Sequence, residues 1–330
     1  MLFKPTHQLH ILQEDEFSAE IAVIEDKLEE VSNKGEIASF DGCKLAYEYF
    51  LTDDAIGSIV LIHGFTEFYK KLYEMTWYFL NMGYNVFLYD QRGHGLSQRD
   101  VDNPVLTHVN DFNDYVTDLG CIIDNIVIPN SNGLPVFLMG HSMGGAVASI
   151  YLSKNSDKIT RAILSAPMVC PRTHGVPTIF VKNLSRIHGR KNGWKSRFCY
   201  SNDFNPNPSF EYSSDASPAR FRHNMNYRLN NSLYQNSSFT NRWMYEALRV
   251  KKIMLNPRVT GNITTEVLIF SAQNDKVVHT APHKKLAKLF PKCTLITVPH
   301  AKHTLYTGSY SMLEHFYTTV FDFLSQNHSD

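Results

Sequence analysis

Ser142 lies in Gly140-His141-Ser142-Met143-Gly144, a G-x-S-x-G pentapeptide. A serine hydroxyl is a weak nucleophile at neutral pH; it needs a base within hydrogen-bond reach and an acid that orients the base. Both stand downstream. Asp275 follows the apolar run 267–271, and His303, in Pro299-His300-Ala301-Lys302-His303, follows the run 294–298. The chain order Ser, Asp, His, each just past a strand, is the one a nucleophile elbow requires. His300 is the rival base, but directly after Pro299 at the strand end it has less room to swing towards Ser142. His300 and His303 as metal ligands lack further partners, so neither a metal nor a cofactor is expected.

The elements around Ser142 match this chemistry. Residues 136–139 form a short apolar run, and a small-residue helix follows Ser142. A turn this sharp strains the backbone at Ser142, and side chains at 140 or 144 would collide with the crossing strand and helix. The helix starting at Met143 aims an unpaired N–H at the place where an oxyanion would form. A second donor is expected from His63-Gly64-Phe65-Thr66-Glu67, where Phe65 follows Gly64 at the end of the apolar run 58–63. His63 and Glu67 shape that loop by hydrogen bonding, or serve ordinary packing and solvation.

From residue 58 onward apolar strands alternate with helical stretches, with strands at 58–63, 85–90, 136–141, 162–165, 266–271 and 293–298 and helices at 68–82, 111–128, 282–290 and 311–325. Such alternation predicts an α/β fold with a mainly parallel central sheet and helices on both faces. Asp41-Gly42 between residues 35–40 and 43–51 predicts a hairpin ahead of it. Phe17, Ile21, Ile24, Leu28 and Val31 form the apolar face of a helix over 14–31; its acidic opposite face argues for packing on the domain, not membrane anchoring. Arg92-Gly93-His94-Gly95 lacks the third glycine and the following helix of a dinucleotide loop.

Between about 167 and 262 the alternation stops and Pro, Asn, Ser and aromatic residues dominate, with helical pieces at 177–187 and 240–254. The stretch is too long for a connecting loop and reads as an inserted cap. The expected organisation is an N-terminal helical extension (1–35), a core (36–166 and 263–330) and a cap (167–262). No Asp or Glu occurs from Lys158 to Asn202, whereas Arg172, Lys182, Arg186, Arg190, Lys191, Lys195 and Arg197 do. That run is either a solvated surface balancing the acidic helix or an entrance attracting anionic head groups or a membrane.

The chain has 330 residues, zero formal net charge and 43% hydrophobic residues, which excludes a disordered or highly charged binder. Nucleic-acid binding is not expected, since no binding motif accompanies the basic run. Five widely spaced cysteines read as buried free thiols of a reducing compartment. Without a signal-like N-terminus or a long apolar run, a cytoplasmic location is expected, peripheral contact with the inner membrane face staying open.

These motifs, with Asp90-Gln91-Arg92-Gly93-His94-Gly95-Leu96-Ser97, Asp111-Phe112-Asn113-Asp114-Tyr115 and Ser217-Pro218-Ala219-Arg220, resemble those of the α/β-hydrolases of the monoacylglycerol lipase and lysophospholipase group. The likeness runs from about residue 36 to the end and is strongest to bacterial lysophospholipases. It implies an α/β-hydrolase fold, Ser142 as nucleophile, Asp275 as acid, His303 as base, and hydrolysis of the acyl ester of a lysophospholipid through an acyl-enzyme. Phe65 and Met143 would supply the oxyanion hole. The alternatives are a monoacylglycerol lipase, a broad carboxylesterase, a proline-type aminopeptidase and a non-catalytic binding protein of the same fold. The sequence departs from the group at His300-Ala301-Lys302-His303-Thr304 and at Phe65, a position that is often small.

Overall fold

The computed structural model describes residues 1–326. Strands follow in chain order as β1 (Asn33–Ala38), β2 (Lys44–Phe50), β3 (Gly57–Ile62), β4 (Tyr84–Tyr89), β5 (Leu106–Thr107), β6 (Val136–His141), β7 (Arg161–Ser165), β8 (Ser238–Phe239), β9 (Glu266–Ala272) and β10 (Cys293–Val298). Eight of them build one sheet in the order β1-β2-β4-β3-β6-β7-β9-β10; β5 and β8 pair separately. The β1–β2 and β2–β4 pairs are antiparallel and every pair from β4 to β10 is parallel, as the hairpin signal followed by alternation predicts.

Strands β3, β4, β6 and β7 are buried along their whole length, which is why they read as continuous apolar runs. Alternate residues feed two cores. Ile59 and Leu61 point with Phe137 and Met139 to one face, where the helices Phe17–Val31, Tyr73–Asn81 and Tyr310–Ser325 pack. Val60, Ile62 and Leu138 point to the other, against the helices Phe112–Ile122 and Met143–Asn155. The helix Phe17–Val31 buries the five apolar residues that its spacing singled out.

Chain order reverses at β3. The connection after β3 leads to β4 on one side, and the chain then crosses to β6 on the other. At such a switch point the loops after neighbouring strands diverge to opposite faces and leave a crevice at the carboxyl ends of the strands. Ile62 pairs with Gly140, so the loops holding Gly64 and Ser142 leave the sheet side by side.

Residues 166–265 add no strand to the large sheet. They carry the helices Thr178–Asn192, Pro218–Asn230, Asn241–Ala247 and Val250–Met254. Two differ from expectation. The stretch 240–254 holds two helices broken at Leu248-Arg249, and Pro218–Asn230 is an additional helix, whose start signal is Ser217 before Pro218: the Ser217 hydroxyl accepts from the Arg220 N–H at 3.1 Å. The N-terminal segment fastens this helix. Glu14 accepts from the Ala219 N–H (2.8 Å) and the Ser217 hydroxyl (2.5 Å), and Arg220 donates to Glu74 and to the Leu12 carbonyl (3.0 Å). The five cysteines are free, but only Cys43 and Cys170 are buried, which corrects the expectation that all are; Cys121 and Cys293 are half-buried, and Cys199 is exposed beside the exposed Tyr200 while Phe198 turns inward.

Candidate active site

Ser142 takes φ 51° and ψ −113°, a conformation costing a non-glycine residue about 1–3 kcal/mol. The surroundings over-determine it. The Ser142 N–H donates to the Ser165 carbonyl at 2.9 Å, and its carbonyl accepts from the Met168 and Ala146 N–H groups. A Cβ on Gly144 would lie 2.4 Å from the Ile62 carbonyl oxygen, so the following helix crosses β3 at backbone contact. The strain turns the hydroxyl out of the sheet, and Ser142 borders a cavity of about 1390 Å³.

His303 borders the same cavity. Its Nδ1 lies 2.6 Å from Asp275 Oδ2, while Asp275 Oδ1 accepts from the Val277 (2.7 Å) and Val278 (2.8 Å) N–H groups. Burial pushes the Asp275 carboxyl up, but the hydrogen bond and charge of His303 and the two amides outweigh it, and its pKa is held below the ordinary carboxylate value. An ionised Asp275 fixes the His303 proton on Nδ1 and leaves Nε2 as a free base. The rival His300 sits apart: its N–H donates to Gln273 Oε1 at 2.9 Å, its φ is 58°, and it does not border the Ser142 cavity. His141 is packed 4.8 Å from the His303 ring, centroid to centroid; burial drops its pKa to about 3, so it is neutral and does not oppose charge on His303.

The two segments expected to supply oxyanion donors lie side by side. A Cβ on Gly64 would come within 3.2 Å of Ser142 Cβ, so the loop that carries Phe65 abuts the elbow. Neither the Phe65 nor the Met143 N–H donates to any of the described residues. The Phe65 ring, the departure noted above, stacks on Trp243 with centroids 4.0 Å apart and so forms cavity wall.

Hydrogen bonding does shape that loop. Gln91 N–H donates to His63 Nε2 at 3.0 Å, which leaves the His63 proton on Nδ1, 2.8 Å from the Gly64 carbonyl. Glu67 Oε2 accepts from the Gly64 N–H at 2.6 Å, and Oε1 from Lys71 (2.8 Å) and the Tyr306 hydroxyl (2.8 Å). Lys71 reaches Asp215 at 3.3 Å, and Lys302 donates to the Asp215 carbonyl at 3.1 Å. Burial raises the Glu67 pKa, but Lys71 foremost and then His141 and the Gly64 amide bring it below the usual carboxylate range. Sequence reasoning missed Lys71, Asp215 and Tyr306. The i,i+4 spacing of Glu67 and Lys71 was the available signal, whereas Asp215 and Tyr306 carry none.

The cavity is mainly apolar. Phe180, Val181, Leu184, Phe198, Met225 and Met244 line it above Ser142, all from the stretch between β7 and β9. A mainly apolar cavity bordered by Ser142 and His303 has the chemistry to take an acyl chain.

Comparison with known proteins agrees with this geometry. The family model Hydrolase_4, serine aminopeptidase S33, matches residues 53–308. A probable lysophospholipase L2 of Haemophilus influenzae is 29% identical over 265 residues, covering 79% of this chain and 82% of that protein. Lysophospholipase L2 of Escherichia coli K12 is 25% identical over 260 residues, covering 78% and 75%. A soluble variant of monoglyceride lipase from Saccharomyces cerevisiae, solved with a substrate analogue, superposes with a TM-score of 0.72 at 20% identity, covering 89% and 95% of the two chains. That likeness shows the α/β-hydrolase fold.

Proposed function

The chain belongs to the serine aminopeptidase S33 family of serine hydrolases, and from that premise we propose that it hydrolyses the acyl ester of lysophospholipids. Ser142 Oγ attacks the acyl carbonyl while His303 Nε2 takes its proton, with the imidazole held in tautomer by Asp275. The Phe65 and Met143 N–H groups stabilise the tetrahedral oxyanion. His303 returns the proton to the departing glycerol oxygen, leaving the acyl group on Ser142. A water deprotonated by His303 then attacks this ester, the fatty acid leaves, and Ser142 regains its proton. No cofactor takes part.

One observation carries the reading: His303, bonded to Asp275, and the strained Ser142 border one cavity with an apolar wall. The names of the Haemophilus and Escherichia relatives support a lysophospholipid over a monoacylglycerol. An aminopeptidase would need a free carboxylate to hold the substrate ammonium, and both acids of this cavity, Glu67 and Asp215, are engaged by Lys71. The test is hydrolysis by purified protein of lysophosphatidyl lipids, monoacylglycerols and aminoacyl amides. We expect kcat/KM to fall in that order; amide cleavage outrunning both esters contradicts the assignment.

The segment 167–262 acts in this reading as the cap, and its helix Thr178–Asn192 meets the membrane. Ile179 (53% exposed), Phe180 (65%) and Ile187 (59%) stand out from it beside Lys182, Arg186, Arg190 and Lys191. Apolar side chains ringed by cations suit an anionic bilayer surface and support, in this reading, a cytoplasmic protein in contact with the inner face of the membrane. No helix among the described residues is long and apolar enough to cross a membrane. The protein is expected to sediment with vesicles containing phosphatidylglycerol and less with phosphatidylcholine alone, and Ile179→Ser/Phe180→Ser to weaken that binding about tenfold or more. Retention in the supernatant with both vesicle types contradicts the membrane contact.

A further inference from the structure

A second cavity, of about 1220 Å³, opens on the other side of the same imidazole: His303 borders both, and Arg172–Val176 runs between them. Its character is different. Arg172, Lys251, Lys276, Lys285 and Lys302 line it, and among the described residues none of the five lies within 4 Å of a carboxylate. Against them stands Glu211, since Asp275 is occupied by His303 and two amides. Two of the cations are fixed: Lys302 donates to the Ser213 (3.2 Å) and Asp215 (3.1 Å) carbonyls, and Arg172 Nε to the Val278 carbonyl (3.2 Å). His279, in the same wall, has its pKa lowered by burial first and then by the charges of Arg172 and Lys251. Unpaired cations around a concave surface favour an anion there.

We propose that this basic cavity seats the phosphodiester head group of the substrate while the apolar cavity takes its acyl chain, so that the ester between the two lies at His303 and Ser142. The inference rests on the ester-hydrolase reading and adds the groups that select phosphate. A single-chain phospholipid is apolar at one end and anionic at the other, with its ester between them, and the two cavities meet at the base in that order. The basic run seen in the sequence contributes only Arg172 to this wall; the other four cations come from residues 251, 276, 285 and 302.

The experiment compares kcat/KM for a short-chain lysophosphatidylglycerol with that for the monoacylglycerol of the same acyl chain. Both are used below their aggregation concentrations, so that no lipid surface contributes, and at 0.15 M salt, where charges beyond about 8 Å are largely screened. The variant is Lys251→Glu/Lys285→Glu, two exposed positions without ion pairs. Lys284→Glu/Lys288→Glu makes the same change in net charge on the helix Ala281–Leu289 outside the cavity. We expect the ratio of lysophosphatidylglycerol to monoacylglycerol kcat/KM to fall by about tenfold or more in the first variant, through KM, and to stay within about twofold in the second. An unchanged ratio in the first variant, an equal fall in both variants, or a parallel loss on both substrates overturns the head-group assignment. So does wild-type protein that cleaves the monoacylglycerol and spares the phospholipid, which leaves the ester-hydrolase reading standing. Wild-type protein that cleaves neither ester removes that underlying reading.

Discussion

Ser142→Ala is expected to lower kcat for ester hydrolysis by about 10⁴ to 10⁶-fold, with thermal unfolding near that of the wild type. The size follows from what the hydroxyl does alone. In the proposed mechanism no acyl-enzyme forms without Oγ, and the Phe65 and Met143 amides and the cavity can only assist direct attack by water. The fold should survive, because the elbow is held by main-chain bonds from Ser142 to Ser165, Met168 and Ala146 and by the contact of Gly144 with β3, none of which uses the side chain. Alanine keeps the β-carbon and the same backbone angles, and the hydroxyl it lacks belongs to a residue that borders the cavity. The measurement is steady-state hydrolysis together with labelling by a fluorophosphonate, which should mark the wild-type protein and not the variant. Ester cleavage within tenfold of wild type would mean that another group is the nucleophile.

Asp275→Asn is the second large effect, about 10⁴-fold in kcat, and it arises from a tautomer. The Asp275 carboxylate accepts two backbone amides on Oδ1 and the His303 N–H on Oδ2. An asparagine keeps its oxygen on the Val277 and Val278 amides and must then turn its NH₂ to His303. Facing a donor, Nδ1 of the imidazole becomes the acceptor and the proton moves to Nε2, the atom that should receive the proton of Ser142. The geometry is preserved and the base is lost. Kinetics should show the fall in kcat with little change in KM, and circular dichroism an unchanged fold. A variant retaining a tenth of wild-type turnover would show that His303 does not depend on this carboxylate.

The legibility of this site follows from the range of the forces that build it. Gly140-His141-Ser142-Met143-Gly144 announces itself because an elbow is a local steric problem, solved within five residues. Asp275 and His303 could be named because each follows a strand: β9 is a buried apolar run, and β10, although a largely unburied edge strand, still reads as one through its Leu, Ile and Val. The same reasoning pointed to Phe65, since a donor is expected from the loop after β3. It gave no warning that the Phe65 ring would be taken up by Trp243.

What the residues determined unaided was the scaffold, an alternating pattern that closes into a largely parallel sheet, and the chain order in which the proposed nucleophile and its helpers follow its strands. What the tertiary structure decided was everything that depends on partners meeting across the chain. Glu67 could be read as a loop residue, but its bonds to Tyr306 and, through Lys71, to Asp215 join segments more than a hundred residues apart. The basic cavity likewise gathers one residue of a conspicuous run with four inconspicuous lysines. Period and turn chemistry are written into neighbouring residues, whereas the pairing of distant polar groups is fixed only when packing brings them out of water together.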